Sequence, residues 1–120
     1  MDNKEFGKQL EQRTKNFAVC IIRISSQLPK TDEGRVVKNQ ITKSGTSIGA
    51  NYREANRSRS KADFSNKIKI CESETNETNY WLDIIEELKW IDTDKMKWVH
   101  LEAQELLAIF TSISKSSKNS

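Results

Sequence analysis

The sequence predicts an all-α protein that folds as an antiparallel up-down-up-down four-helix bundle. The chain of 120 residues has only four glycines and one proline, so few positions interrupt a helix. β-Branched residues do not alternate with polar residues, as they do in half-buried strands. Four segments place apolar residues three or four positions apart, which is typical of amphipathic helices. Short connections between long helices favour antiparallel neighbours.

The first helix is predicted over about residues 5–28. Its apolar residues recur every three, four or seven positions and are Phe6, Leu10, Phe17, Ile21, Ile24 and Leu28. This spacing places them on one face of an α-helix. The helix is predicted to end at Leu28, because a residue that precedes a proline avoids the α region of backbone conformations.

The second helix is predicted over about residues 33–57, and either Thr31 or Asp32 can cap its amino end. Its apolar face includes Gly45, and Gly49 follows one turn later. Each glycine costs about 1 kcal/mol in a helix interior relative to alanine. The pair therefore indicates either that another helix approaches closely there or that the helix bends.

The third helix is predicted over about residues 61–91, after a capping-box pattern formed by Ser60 and Asp63. Its first apolar stripe is Phe64, Ile68, Cys71, Thr75, Thr78, Leu82 and Ile85. A second stripe follows in its carboxyl half and is Trp81, Ile84, Leu88 and Ile91. A helix with two apolar stripes has more surface to bury than one neighbouring helix can cover.

The fourth helix is predicted over about residues 94–114. Its apolar residues are Met96, Val99, Ala103, Leu106, Phe110 and Ile113. The tail of residues 115–120 is rich in serine and lysine, and we expect it to fray. Residues 1–120 are predicted to form a single domain, since the length suits one core and no repeat is visible.

Composition excludes several classes of protein. Apolar residues make up 35% of the chain, and no run approaches the roughly 20 apolar residues of a membrane span. The first residues carry no signal-peptide pattern. Cys20 and Cys71 are far apart in the chain and form no metal or redox motif, so we interpret them as reduced thiols. A cytoplasmic protein without membrane contact is predicted.

No catalytic or metal-binding residue, and no cofactor, is predicted. His100 could be a general base or a metal ligand, but a surface or boundary histidine is the favoured interpretation. A di-iron bundle needs Glu-x-x-His, and Lys97 occupies the glutamate position. The carboxylates between residues 72 and 87 are interpreted as a solvated or salt-bridged helix face. The two cysteines are interpreted as structural, because neither has an activating partner. A non-enzymatic protein is therefore predicted.

The middle of the chain is strongly basic. Residues 35–69 contain nine basic and two acidic side chains, whereas residues 70–107 contain three basic and ten acidic ones. Clustered cations can bind RNA or DNA by displacing counterions from phosphates. The predicted nucleic-acid-binding residues are Arg53, Arg57, Arg59, Lys61, Lys67 and Lys69. The alternative is a solvated face, or pairing with the neighbouring acidic segment.

Three tryptophans cluster around the junction of the third and fourth helices. Tryptophan is enriched at protein interfaces, and the second stripe of the third helix also needs a partner. We predict a homo-oligomer with an interface formed by Trp81, Ile84, Leu88, Trp90 and Trp98. Partial burial within the monomer is the alternative for the tryptophans. A protein adaptor, which recruits a partner polypeptide through these surfaces without nucleic acid, is the alternative function.

Three stretches of the sequence resemble one known protein family. The first is Ser47-Ile48-Gly49-Ala50-Asn51-Tyr52-Arg53-Glu54-Ala55, followed by Arg57, Ser58, Asp63 and Phe64. It resembles the Ser-Ile-x-Ala-Asn-x-x-Glu-Gly … Arg … Phe signature of the bacterial four-helix bundle proteins, also called the 23S rRNA intervening-sequence proteins. The others are Asn76-Glu77-Thr78-Asn79-Tyr80-Trp81-Leu82 and Glu105-Leu106-Leu107-Ala108-Ile109-Phe110-Thr111-Ser112-Ile113.

The resemblance implies an up-down bundle that assembles as a ring, with a pentamer expected, and implies no catalytic activity. A distant relative, the accessory variability determinant of diversity-generating retroelements, is a basic pentamer that works with a reverse transcriptase and nucleic acid. The sequence departs from the family signature at Ala55, where glycine is usual. It also departs at Tyr52 and Arg53, where small or aliphatic residues are common.

Overall fold

The computed structural model describes residues 1–118, and it contains four helices and no strand within that range. The helices are α1 (Asn3–Ser25), α2 (Asp32–Ala55), α3 (Lys61–Glu87) and α4 (Thr93–Lys118). Each helix packs against the next in sequence, and α1 also packs against α4. The molecule is elongated along the helix axes, with dimensions of 45 × 26 × 20 Å. The predicted fold class, an all-α four-helix bundle, is confirmed.

The amino ends of the first three helices are closed by side chains. The backbone N–H of Glu5 donates to Asp2 Oδ1 at 2.8 Å, and that of Gly34 donates to Thr31 Oγ1 at 3.1 Å. Ser60 caps α3 in the same way, with Asp63 N–H 3.1 Å from its Oγ. Such caps satisfy backbone donors that have no partner inside the helix, and each stabilises a helix by about 1 kcal/mol. Of the two predicted caps of α2, Thr31 is the one used.

The carboxyl ends of α1 and α3 differ from the predicted bounds. Helix α1 ends at Ser25, and the next residues form a tighter turn in which Leu28 N–H donates to the carbonyl of Ser25 at 3.3 Å. Helix α3 ends at Glu87, because Lys89 adopts a left-handed backbone with φ 56°. The backbone N–H of Lys89 donates to the carbonyl of Glu86, and the backbone N–H of Trp90 donates to the carbonyl of Ile85. This pair of bonds is the Schellman motif.

Helix α4 continues to Lys118, beyond the predicted end at residue 114. Ser117 Oγ lies 3.1 Å from Ser65 Oγ on α3, and it also donates to the carbonyl of Ser114 at 3.1 Å. These contacts join the last turns of α4 to the first turns of α3. Residues 115–118 of the tail that was predicted to fray therefore belong to α4. Residues 119–120 lie outside the described residues.

The close approach predicted from the glycines of α2 occurs, and it is made by α1. A Cβ atom built on Gly45 would lie 2.8 Å from Cγ2 of Ile21, and one on Gly49 would lie 3.0 Å from Oγ1 of Thr14. A Cβ at Gly45 would require the side chain of Ile21 to shift, and one at Gly49 would be tight against Thr14. The two glycines therefore let Ile21 and Thr14 of α1 pack directly against the backbone of α2.

The core also contains hydroxyl groups that bond across helices. Thr78 Oγ1 on α3 donates to Ser44 Oγ on α2 at 2.9 Å, and both residues are fully buried. The amide of Asn79 reaches from α3 to α4, where its Nδ2 donates to the carbonyl of Ala103 at 3.1 Å. Buried polar groups need such partners, because an unpaired one costs about 1–3 kcal/mol. These bonds specify how α2, α3 and α4 align.

Candidate nucleic-acid interface

One end of the bundle is basic. The antiparallel helices bring together the amino ends of α1 and α3 and the carboxyl ends of α2 and α4. We call this the basic end, and it comprises residues 1–8, 53–67 and 112–117. It carries eight basic and four acidic side chains, whereas residues 22–38 and 78–97 at the opposite end carry seven of each. A surface of this sign attracts anionic partners.

Three of the six predicted nucleic-acid-binding residues lie together at the corner between α2 and α3. Arg57, Arg59 and Lys61 are all exposed there. Within residues 1–117, no carboxylate oxygen lies within 4 Å of the charged nitrogens of these three side chains. Their charges are therefore available to a partner.

Two other predicted residues pair with carboxylates of the bundle itself. Arg53 Nε lies 3.6 Å from Oε1 of Glu11 on α1, and Lys67 Nζ lies 3.2 Å from Oε2 of Glu54 on α2. These pairs link α1, α2 and α3 near the basic end. Surface ion pairs of this kind contribute little to stability, about 0–1 kcal/mol. Their carboxylates also reduce the positive charge that a ligand would meet.

The sixth predicted residue, Lys69, lies apart from the corner. It lines a separate shallow groove between α3 and α4, together with Glu72 and Leu107. The cluster of cations at the corner is therefore smaller than the predicted site, and Lys69 is not part of it.

Pairing between the basic and acidic segments was the alternative interpretation of the charge pattern. Among the residues that the structure describes, no ion pair within 4 Å joins residues 35–69 to residues 70–107. The best-formed ion pair that uses the acidic segment joins Glu102 to Arg13 of α1, with Nη2 and Oε1 2.7 Å apart. The acidic segment therefore does not neutralise the corner.

A groove of about 840 Å³ opens beside the corner, and we call it the end groove. Its apolar walls come from all four helices and are formed by Phe6, Tyr52, Phe64 and Ile113. Arg59 and Lys61 line the same groove. Phe6 is 41% exposed, Phe64 is half-buried, and Tyr52 is buried with its ring edge-on to Phe110 at 5.6 Å between centroids. The groove thus combines aromatic walls with cations.

The residues that form the walls of the end groove were not predicted from the sequence as site residues. Phe6, Phe64 and Ile113 each belong to an apolar stripe with regular helical spacing, and such residues ordinarily fill a core. Only the assembled bundle shows that the stripes reach an end where no further helix covers them. The signal that could have found them is their position, since each lies in the terminal turns of its predicted helix.

The remaining reactive groups are arranged for packing. Burial raises the pKa of the Cys71 thiol to about 12, and burial also raises the pKa of Cys20. Both thiols therefore stay protonated at neutral pH, and a protonated thiol is a poor nucleophile. His100 Nε2 contacts the carboxylate of Glu86 on α3. Within the described residues, no cluster of three or more histidine, cysteine or acidic side chains could hold a metal ion.

The structure distributes the five predicted interface residues between the carboxyl end of α3, the turn that follows it and α4. Trp81, Ile84 and Leu88 recur at helical spacing along α3, and we call them the outer stripe. Leu88 is 52% exposed, and the other two are half-buried. Trp90 follows the end of α3 and packs against the core, whereas Trp98 lies on α4 and is 51% exposed. Other exposed apolar residues went unpredicted, and the most exposed among residues 2–117 are Val36, Tyr80 and Leu101.

None of the helices described is long and apolar enough to cross a membrane.

Comparison with known proteins identifies the family. The family model of the 23S rRNA-intervening sequence proteins matches residues 8–112. The chain belongs to this family. The 23S rRNA-intervening sequence family match includes α2, α3 and the corner between them, and it excludes Phe6. The resemblance seen in the sequence is therefore confirmed.

A solved structure supports the same assignment. It is the crystal structure of a protein with unknown function from the S23 ribosomal protein family of Bacteroides thetaiotaomicron. That protein is 36% identical to this chain, with a TM-score of 0.80. The alignment covers 88% of this chain and 97% of the other. No curated protein matches the chain.

Proposed function

We propose that this member of the 23S rRNA-intervening sequence family is a non-enzymatic, self-associating cytoplasmic bundle that binds RNA or DNA through its basic end. The observation that carries the proposal is the trio of exposed cations, Arg57, Arg59 and Lys61, at one corner where no carboxylate of residues 1–117 pairs with them. Cations of this kind neutralise phosphates and release the counterions condensed around them.

The ion pairs of the bundle suggest different roles for five of the six predicted residues. Arg57, Arg59 and Lys61 supply the contacts to phosphate. Arg53 and Lys67 pair with Glu11 and Glu54, so less of their charge is available to a ligand. If one copy neutralises three phosphates of a single strand, the logarithm of the binding constant falls with the logarithm of salt concentration with a slope of about −2. Binding by one copy is therefore weak at physiological salt.

Self-association would convert this weak contact into useful affinity. Copies held in one assembly present several corners to the same strand, so later contacts become intramolecular. The outer stripe supports association, because Leu88 is half-exposed beside Trp81 and Ile84. The family resemblance adds the expectation of a pentameric ring.

Fluorescence polarisation with labelled RNA and DNA at low salt tests the proposal. The full chain should bind, and the double variant Arg57→Glu, Arg59→Glu should lose at least about tenfold in affinity. The matched control is Lys95→Glu, Lys97→Glu at the opposite end, which should bind like the wild type. A wild type that binds neither RNA nor DNA, or a corner variant that binds as well as the control, would overturn the proposal.

A protein adaptor is the second candidate, and the exposed apolar side chains favour it. Val36 and Tyr80 are each 58% exposed, and Leu88 is 52% exposed. A polypeptide partner would cover such residues, as would a second copy. Native mass spectrometry with and without nuclease separates these outcomes. Copies that stay together after nuclease support self-association through apolar contact, whereas a distinct protein that resists nuclease supports the adaptor.

A further inference from the structure

We propose that the end groove binds one unpaired nucleotide of a single-stranded nucleic acid. The base would lie against the aromatic walls, and its phosphate would lie at Arg59 and Lys61. This inference rests on the proposed function and deepens it, because it names the form of nucleic acid and the part of it that the basic end recognises. Three properties of the groove support it.

The first property is the size and composition of the groove. Small-molecule sites commonly have volumes of about 300–1,000 Å³, with mostly apolar walls and a few polar groups. The end groove has about 840 Å³, and Phe6, Phe64 and Ile113 line it together with the edge of Tyr52. Single exposed apolar side chains are ordinary on protein surfaces. Here four apolar residues face one concave space, which is the arrangement that receives a flat, apolar ligand.

The second property is the sign of the charge. Arg59 and Lys61 line the groove, and none of its lining residues is an aspartate or a glutamate. Two other grooves differ, since one contains Glu11 and Glu54, and another contains Glu72. The end groove therefore favours an anion with an apolar, planar part. A nucleotide has both, because its base offers a π-face and its phosphate carries negative charge.

The third property is the supply of small polar side chains around the cations. Serine hydroxyls from the α2–α3 corner and from α4 line the groove, and Asn3 adds an amide. Hydroxyls and amides donate and accept hydrogen bonds, so they can contact the polar edge of a base or the sugar. The first backbone N–H groups of α3 also lie beside Lys61, where a helix has donors without partners inside the helix.

Access to a groove of this shape requires an unpaired base. In a duplex the bases are stacked and paired, so their faces cannot reach an aromatic wall. Single strands expose their bases, and stacking of a base on an aromatic side chain tolerates any sequence. The end groove should therefore distinguish single strands from duplexes while it shows little preference among bases.

Oligonucleotide binding to the full chain tests this inference. The probes are a labelled single-stranded RNA and the blunt duplex formed with its complement. Phe6→Ala removes one exposed wall and should weaken single-strand binding by at least about fivefold, with duplex binding unchanged. The matched control is Ile22→Ala, since Ile22 is also an exposed apolar residue of α1, at 49%, and does not line the groove. Thermal unfolding followed by circular dichroism checks that both variants remain folded.

A second measurement locates the ligand. Adenosine monophosphate, adenosine and ribose 5-phosphate are each titrated into isotope-labelled protein, and amide shifts are followed by NMR. The monophosphate should move the amides of Phe6, Gly7 and residues 59–64 at lower concentration than either fragment. Shifts confined to other parts of the bundle would overturn the groove as its site.

The outcomes separate this inference from the proposed function. If single strands and duplexes bind equally and Phe6→Ala binds like the wild type, the groove is not a nucleotide site, yet the basic end still binds nucleic acid. If no oligonucleotide binds the wild type at low salt, the proposed function and this inference both fail.

Discussion

The guanidinium of Arg13 on α1 donates two hydrogen bonds to the carboxylate of Glu102 on α4. Nη2 lies 2.7 Å from Oε1, and Nε lies 3.1 Å from Oε2. The Glu102 side chain is 8% exposed, whereas that of Arg13 is 37% exposed. The pair spans the seam between α1 and α4, where helix contact is sparser than at the other seams. Hydrogen bonds to Glu102, followed by its negative charge, raise the pKa of Arg13.

Removal of Arg13 should destabilise the bundle more than removal of an exposed cation. In Arg13→Ala the carboxylate of Glu102 stays buried without its partner, so we expect a loss of about 2 kcal/mol in the free energy of unfolding. Urea unfolding measures this change, and Lys15→Ala on the same helix serves as the control. A loss equal to that of the control would show that Glu102 finds water or another partner.

The two glycines Gly45 and Gly7 should respond oppositely to alanine. At Gly45 the new Cβ would lie 2.8 Å from buried Ile21, and overpacking of this kind costs about 1–3 kcal/mol. The gain in helix propensity of up to about 1 kcal/mol offsets only part of it. At Gly7 the nearest atom would be Asn56 Nδ2 at 3.6 Å, an ordinary contact. Thermal unfolding should show Gly45→Ala melting lower and Gly7→Ala melting no lower than the wild type.

Replacement of Lys89 by glycine should stabilise the protein. Lys89 has φ 56°, a conformation that costs a residue with a Cβ roughly 1 kcal/mol and costs glycine little. Lys89→Gly should therefore raise the free energy of unfolding by about 0.5–1 kcal/mol. The control is Lys97→Gly within α4, which should lower stability by about 1 kcal/mol. If both substitutions destabilise equally, the left-handed turn after α3 carries no strain.

The buried thiol of Cys71 should make stability depend on alkaline pH. Its pKa is raised from an ordinary 9.0 to about 12 in the folded protein, first by burial. Above pH 9 the unfolded chain loses this proton while the folded protein keeps it. The stability that the protonated thiol contributes is therefore intact below pH 9 and is lost as pH rises towards 12. Between pH 9 and 12 the wild type should lose about 1.4 kcal/mol per pH unit relative to Cys71→Ala. Urea unfolding of both proteins at pH 8 and pH 10 provides the comparison, and parallel losses would contradict it.

A charge in the outer stripe should disrupt self-association. In the proposed assembly, Leu88→Glu would place a carboxylate between apolar surfaces, where it would lose its hydration. Native mass spectrometry should show smaller assemblies than for the wild type. The control is Leu101→Glu, because Leu101 is even more exposed, at 65%, and lies on α4. If Leu101→Glu alone dissociates the assembly, the interface lies on α4 and not on the outer stripe.

The spacing of apolar residues predicted most of the fold. The stripes through Phe17, Ile41, Ile68 and Leu106 are buried as predicted, since a helical period of 3.6 residues fixes which side chains share a face. The helix ends were harder to predict. The end of α3 depends on Lys89 taking a conformation that its sequence does not favour, and only the bonds that it makes after folding hold it there.

The candidate site was predictable only as a region. Counting charges found the cluster around Arg57, because net charge is a property of the chain itself. It could not separate Arg57 from Arg53, since the partner of Arg53 is Glu11 on a different helix. Contacts between residues far apart in sequence depend on how helices align, and the periodicity of apolar residues does not determine that alignment.

The hydrogen bond between Ser44 and Thr78 affects how α2 and α3 align. If α3 slid along α2 by one turn, about 5.4 Å, the bond between the two hydroxyls would be lost, and each would keep only its carbonyl partner on its own helix. Neighbouring apolar side chains could exchange contacts in such a slip, whereas the hydroxyls would lose one hydrogen bond, which contributes about 1 kcal/mol. This single bond thus favours one register of α3 against α2 in a core that otherwise depends on apolar contacts. It favours the alignment of the two helices that meet at the corner of Arg57 and Arg59.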